Sequence, residues 1–534
     1  MKTLSSTPRL FPLFLIFIIL LGNLASPTSV HAAGIVVNSL LDTTVIDGGC
    51  TLREAIQNAN DNAASNADCA TGVGADTITF SVDGTITLGS TLPTIEDVAG
   101  LMIDGAGHGV TISGNHAVRV FEIGTAPVTL NNLTIANGHH NDWGGGIENN
   151  AGGTLTITRC SFTGNSAPYY GAIFNGATMT VVNSTFSGNS ASKNGAAIGA
   201  KSATLTIINS TIANNTAPDI GGISVWQGTS TLRNTIVANN TGGNCSQVTP
   251  ITNGGNNIDS GVTCGWGSAN GSKSNTDPLL GALIGSPAYL PLKAGSPAID
   301  AGKDAVCNGA VVNGQSQNGL ARPQGVHCDI GSVEKKLTIV NFSRNSIAVQ
   351  DGWISETSET SNMGGTFTNG TSTLRLGDDA SRRQLRAILS FDTSGVPDAA
   401  VITSLTLKIR KQAITGGGDP VALLQGFMLD VMNGTYGVPA LQPTDFQATG
   451  ATTVFKTFGP YLSVPDSLGW YTVSLPATAY KYVNKLTTSS GLTQIRLRFK
   501  LDDNNNRLAN FLSVYSGEAA STSRPRLMIQ YYVR

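Results

Sequence analysis

Charge is scarce in this chain. Only 12% of its 534 residues are Asp, Glu, Lys or Arg, and they leave a net charge of −2, so composition offers no basic surface for nucleic acid or acidic lipid. Long apolar runs are scarce too. The one at Phe11–Leu21 is 11 residues, well short of the roughly 20 that a spanning helix needs. None of the seven cysteines is spaced as Cys-x-x-Cys, which argues against zinc. What the chain holds in excess is glycine, 63 residues of it, and with the glycine comes a repeat.

Between Val128 and Gly242 one phrase recurs five times: Thr129-Leu-Asn-Asn132, Thr156-Ile-Thr-Arg159, Thr180-Val-Val-Asn183, Thr206-Ile-Ile-Asn209 and Thr231-Leu-Arg-Asn234. The steps between the leading threonines are 27, 24, 26 and 25 residues. Polar threonine followed by apolar Leu130, Ile157, Val181, Ile207 or Leu232 is period two, the mark of a strand with one buried face. A repeat of this length with no helical pattern fits one turn of a parallel β-helix. Three of the phrases are followed by an apolar residue three before an asparagine: Phe162-Thr-Gly-Asn165, Phe186-Ser-Gly-Asn189 and Ile212-Ala-Asn-Asn215. Glycine corners at Gly145-Gly-Ile147, Gly171-Ala-Ile173, Gly195-Ala-Ala-Ile198 and Gly221-Gly-Ile223 separate the copies. Glycine allows the positive φ of a corner, and an inward asparagine is placed to bond the turn backbone and the asparagine one coil away. These phrases resemble the polymorphic outer-membrane protein repeat, which implies a right-handed parallel β-helix.

Residues 1–32 read as a secretory signal: Lys2 and Arg9, the apolar run, then Val30-His-Ala32 as the cleavage site. An uncleaved anchor is the alternative. Export makes disulfides expected, and the cysteines fall into local pairs: Cys50 with Cys69, Cys245 with Cys264, and Cys307 with Cys328. Cys160 is left over. It sits where the next coils carry Ser184 and Ser210, so it reads as a small buried filler rather than a nucleophile.

Cys50-Thr-Leu-Arg-Glu-Ala-Ile56 contains a capping box, Thr51 with Glu54, and predicts a short helix from about Leu52 to Asn60 covering the open end of the β-helix. The phrase at 50–56 resembles the CSLREA-type motif of secreted bacterial β-helix proteins. Further on, Gly255-Asn-Asn-Ile-Asp259, Gly295-Ser-Pro-Ala-Ile-Asp-Ala-Gly302 and Cys328-Asp-Ile-Gly331 are similar to the choice-of-anchor Q domain over about 250–334. Together the likeness spans 33–334. It implies secretion or surface attachment and no settled chemistry.

From residue 335 the repeats stop. Short alternating runs such as Ser404-Leu-Thr-Leu-Lys-Ile-Arg410 and Arg526-Leu-Met-Ile-Gln-Tyr-Tyr-Val533 predict an all-β sandwich to the end of the chain. Asp351-Gly-Trp-Ile354, Leu374-Arg-Leu-Gly-Asp378, Ala387-Ile-Leu-Ser-Phe-Asp392 and Arg524-Pro-Arg-Leu-Met-Ile-Gln530 resemble the DNRLRE domain, also grouped as carbohydrate-binding module family 96. The resemblance implies a jelly-roll-like fold that binds sugar. Trp353, Trp470, Tyr436 and Tyr461 are the aromatic candidates for stacking on a sugar ring, with core packing as the alternative. Asp378 and Asp379 are the candidates for a calcium, the one cofactor considered, with a turn as the alternative.

An enzyme on the β-helix would need clustered acids and a base. Over 128–242 the charges are Asp142, Glu148, Arg159, Lys193, Lys201, Asp219 and Arg233. By alignment Arg159 replaces the asparagines 132, 183, 209 and 234, Lys201 falls beside Asn175, and Glu148 beside Phe174, so no stacked acid and base are expected. No catalytic residue is assigned; for an enzyme the candidates would be Arg159, Lys201, Glu148, His139 and Asp142. The reading is an all-β secreted or cell-surface monomer that binds extracellular or cell-wall polysaccharide without turnover. The alternatives are a polysaccharide lyase or hydrolase on a uronate-rich polymer, and, from the threonine rows, an ice-binding β-helix.

Overall fold

The computed structural model describes residues 34–246, 248–449, 455–485 and 491–534; the signal-peptide expectation lies outside them. The repeats stack as parallel strands. One sheet runs through Pro127–Asn131, Thr154–Thr158, Thr178–Val182, Ile198–Ile208 and Ile223–Arg233, and a second through Thr134–Ala136, Ser161–Thr163, Thr185–Ser187, Thr211–Ala213 and Ile236–Ala238. Thr129, Thr156, Thr180, Thr206 and Thr231 stand in one register row. Leu130, Ile157, Val181, Ile207 and Leu232 form the buried row beside it, each 0% exposed. Inside the column Phe162 stacks on Phe186 with ring centroids 4.5 Å apart.

The inward asparagines form a continuous chain. Nδ2 of Asn165 donates to Oδ1 of Asn189, Asn189 to Asn215, and Asn215 to Asn240, each at 2.9 Å. Each amide oxygen also accepts the backbone N–H of the asparagine before it. Buried amides cost stability unless every group is satisfied, and here the repeat satisfies them.

The expected helix spans Leu52–Asp61 with both arms of the Thr51–Glu54 capping box in place. All three disulfides pair as expected, and Cys160 is free and buried. The stretch before residue 334 does something the repeat pattern does not convey. It folds back as a strap along the column, where Thr185 Oγ1 donates to Gln317 at 2.6 Å, Asn183 Nδ2 to the Gln315 carbonyl at 2.9 Å, and Ser332 N to Thr211 at 3.0 Å.

The C-terminal half is an antiparallel curled sheet. Its longest strand, Ala400–Thr415, pairs with Arg526–Val533 and Trp470–Leu475 over its first part. After a bulge near Lys411 it turns to pair with Asn510–Tyr515 in the opposing layer, so one strand closes both sides around a core that includes Leu407, Ile529, Leu389 and Ile495. The two halves meet at Asp300, whose carboxylate accepts from the Tyr532 hydroxyl and from Arg534 Nε at 3.0 Å.

Candidate functional site

The curled sheet has two outer faces, and they differ. On one, Tyr436, Leu441 and Phe446 fold over Ile354, Ile388 and Met432. Tyr436 is therefore buried, not a platform: its hydroxyl donates to the Asp430 carbonyl at 2.7 Å and the Arg496 guanidinium lies 4.6 Å over its ring. This corrects its assignment as a stacking surface. Trp353 and Tyr461 are half-buried against the main core.

The other face stays open, and Trp470 lies on it. Alternation along Ala400–Thr415 sends Leu405, Leu407 and Ile409 inward and Ser404, Thr406, Lys408 and Arg410 outward. Arg410 is the register partner of Trp470, and Lys408 that of Arg526. Three cations thus gather at one ring: Lys408 Nζ lies 5.6 Å, Arg526 5.8 Å and Arg410 5.9 Å from the Trp470 centroid. Among the described residues none of the three has a carboxylate within ion-pairing distance. The exposed Asp466 lies in the field of two of them. Its carboxyl is held below the usual range first by the Trp470 N–H, with the fields of Lys408 and Arg410 adding to this. Arg526 Nε is buried without a partner. A groove of about 300 Å³ continues from Lys408 past Thr406, Thr472, Ser343 and Gln530.

Placing like charges opposite each other across a ladder destabilises by roughly 0.2–1 kcal/mol. The arrangement suits an anion beside a flat apolar ring. Lys408, Arg410 and Arg526 lie within alternating runs of the sequence, but they are not singled out there as site residues. Their convergence on Trp470 depends on strands far apart in the chain.

Asp378 and Asp379 do not act together. The Asp379 carboxylate is taken up by Arg383, at 2.8 and 2.7 Å, and by the turn N–H groups of Ser381 and Arg383. Asp378 is fully buried and burial pushes its carboxyl up to about 6. Among the described residues no group of three or more His, Cys, Asp or Glu is placed to hold a metal.

On the β-helix the expectation of no stacked acid and base covered the charges of 128–242; Arg119, which precedes them, brings a base to Glu148 from outside that range. Its buried guanidinium pairs with Glu148 and lies 3.7 Å from Glu122, the register partner of Glu148 one coil away. Trp143 Nε1 donates to Glu148 at 2.9 Å, Trp143 stacks on Phe174 at 5.0 Å, and Lys201 lies 5.9 Å over the same indole. Asp142 is exposed nearby, and burial followed by Arg119 lowers the His140 pKa. His139 bonds Ser166 at 3.0 Å. Glu148 is indeed beside Phe174, but the partner of Asn175 is Ala200, and Lys201 lies one residue further on, opposite Trp226. Every polar arm of Arg119 is used: Nε and Nη2 bond the Gly144 and Trp143 carbonyls. The cluster therefore anchors the 139–143 insertion.

Arg159 is elsewhere. It occupies the asparagine row in the left-handed conformation, φ 52°, like Asn132, Asn183, Asn209 and Asn234 at 46–53°. For a residue other than Gly or Asn that conformation costs about 1–2 kcal/mol.

No family model matches this chain, and no curated protein matches it. Among solved structures it is similar to the enzymatically active domain of tailspike protein 4 of bacteriophage CBA120, at 11% sequence identity and a TM-score of 0.16. The match covers 86% of this chain and 64% of that one, so the chain spans just under two thirds of that structure.

Proposed function

We propose that this is an extracellular carbohydrate-binding protein in which the β-helix is a stiff spacer and the open face of the curled sheet holds an acidic polysaccharide. The observation that carries the reading is Trp470 among Lys408, Arg410 and Arg526, three cations that no carboxylate pairs with among the described residues. An aromatic face takes the apolar face of a sugar ring, and a guanidinium takes a carboxylate or sulfate bidentately. Three disulfides fit an extracellular setting. The likeness of the C-terminal half to DNRLRE domains points the same way.

The test is a glycan array with the full chain, followed by titration of the best acidic oligosaccharide. Trp470→Ala and the pair Lys408→Gln with Arg526→Gln should each weaken binding at least tenfold, about 1.4 kcal/mol. Unchanged binding in both would sink the reading. Release of unsaturated uronate or reducing ends by the wild type would replace it with an enzyme.

A further inference from the structure

The asparagine row that Arg159 interrupts has a job. Asn183 reaches the Gln315 carbonyl and Asn234 the Lys303 carbonyl, so these side chains pin the strap to the column. Arg159 does none of this. Among the described residues its guanidinium makes one hydrogen bond, a long one from Nη2 to Asn131 Oδ1 at 3.4 Å, and its Nε is buried with no partner. Among the described residues no carboxylate lies within ion-pairing distance of it. Asp104, close by, is committed to the amides of Asn131 and Asn132 and to Ala106 N.

Arg159 lines a cleft of about 610 Å³ between the early coils and the returning strap, with His108, Asn132, Ser286, Tyr289 and Asn318 around it. That volume falls in the range of small-ligand sites, and the walls are amide, hydroxyl and glycine backbone, suited to a hydroxyl-rich molecule. A guanidinium engages a planar carboxylate or a sulfate with two parallel bonds. A strained backbone carrying an unpaired cation into a polar cleft is the pattern expected where strain serves a ligand.

We propose that this cleft is a second saccharide site, taking the carboxylate or sulfate of an acidic sugar on Arg159. It shares no residue with the Trp470 face and goes beyond the function given to that face. With both sites filled, one polymer would be held at two points on a single rigid frame, and avidity would exceed either site alone.

The experiment uses the full chain carrying Trp470→Ala, so that the open sheet face is silent, and calorimetric titration with trigalacturonate, a sulfated disaccharide and inorganic phosphate. Trigalacturonate or the sulfated sugar should still bind, and the tighter of the two names the anionic group. Adding Arg159→Asn, which restores the residue of the row, should cut that binding at least tenfold while leaving the melting temperature equal or higher; Arg159→Lys should fall between. The proposal is overturned if neither sugar binds the Trp470→Ala protein, if Arg159→Asn leaves affinity unchanged, or if phosphate binds as tightly as either sugar. Failure of the sheet-face reading is separate: there Trp470→Ala would bind as the wild type does.

Discussion

Asn189 and Asn215, 26 residues apart in the chain, are joined at 2.9 Å by Nδ2 of the first and Oδ1 of the second, with the Asn189 backbone N–H on the same oxygen at 3.0 Å. Asn189 in turn accepts both the N–H and the Nδ2 of Asn165. Asn189→Ala should therefore leave two buried donors of Asn165 without partners, at about 1–3 kcal/mol each. The expected loss is about 3–5 kcal/mol, read as a lowered urea midpoint. Asn189→Asp should be at least as damaging at pH 7, because it puts a charge where an Nδ2 donor stood.

The column was legible in the sequence because each layer repeats the same local code: Thr156, Thr180 and Thr206 at one phase, Asn165, Asn189 and Asn215 at another. The capping box and the three disulfides were legible for the same reason, since their partners are near in sequence. The missed relationships are non-local. Arg119 lies outside the repeated segment, so its pairing with Glu148 does not emerge from coil alignment. One extra residue between Ala200 and Thr204, compared with the stretch between Asn175 and Thr178, takes Lys201 out of line with Asn175. Tyr436 has the composition of a surface aromatic, and only the fold of the loop around Phe446 buries it. Trp470 was among the candidates, but its cations come from two other strands.

Cys160 belongs to a row of small hydroxyls. Ser184 Oγ donates to the Val182 carbonyl at 2.8 Å and Ser210 Oγ to the Ile208 carbonyl at 2.9 Å, while Cys160 Sγ reaches the Thr158 carbonyl at 3.4 Å. Cys160→Ser should keep this bond and change stability by less than about 1 kcal/mol. Burial pushes the Cys160 thiol up to about 12, so at pH 8 it is neutral and enclosed. A thiol reagent should label the native protein only at the rate of unfolding. Fast labelling of folded protein would show that the site is open.

Asp351 gives stability a pH dependence of known sign. It is 2% exposed, and burial raises its carboxyl to about 7 even though it accepts from Gly517 N at 2.9 Å and Ser390 N at 3.2 Å. In the unfolded chain the group loses its proton near 3.9. Between about pH 4 and 7 the folded state holds more protons than the unfolded one, so the Asp351 contribution to stability falls as pH rises and levels off above 7. The span is roughly 4 kcal/mol at 1.36 kcal/mol per pH unit. Asp351→Asn keeps an acceptor oxygen and removes the titration. Its stability relative to wild type should rise from pH 4 to pH 8; a flat difference would mean that the carboxyl is not held neutral.

Lys408 and Arg526 face each other across antiparallel strands, and among the described residues no carboxylate pairs with either. If that repulsion is kept for a ligand, removing it should separate stability from binding. Lys408→Gln preserves the aliphatic stem over the sheet and deletes one charge, so the free protein should become more stable by about 0.2–1 kcal/mol, with the gain shrinking in high salt. The same change should weaken an acidic oligosaccharide and leave a neutral one of equal length unaffected. Arg526→Gln should repeat the pattern, and the double variant should gain less stability than the sum of the two, because the repulsion is removed once. A surface pair with no ligand to serve would show the stability gain alone. The decisive measurement is therefore the thermal midpoint with and without the acidic oligosaccharide: the variants should begin above the wild type and end below it.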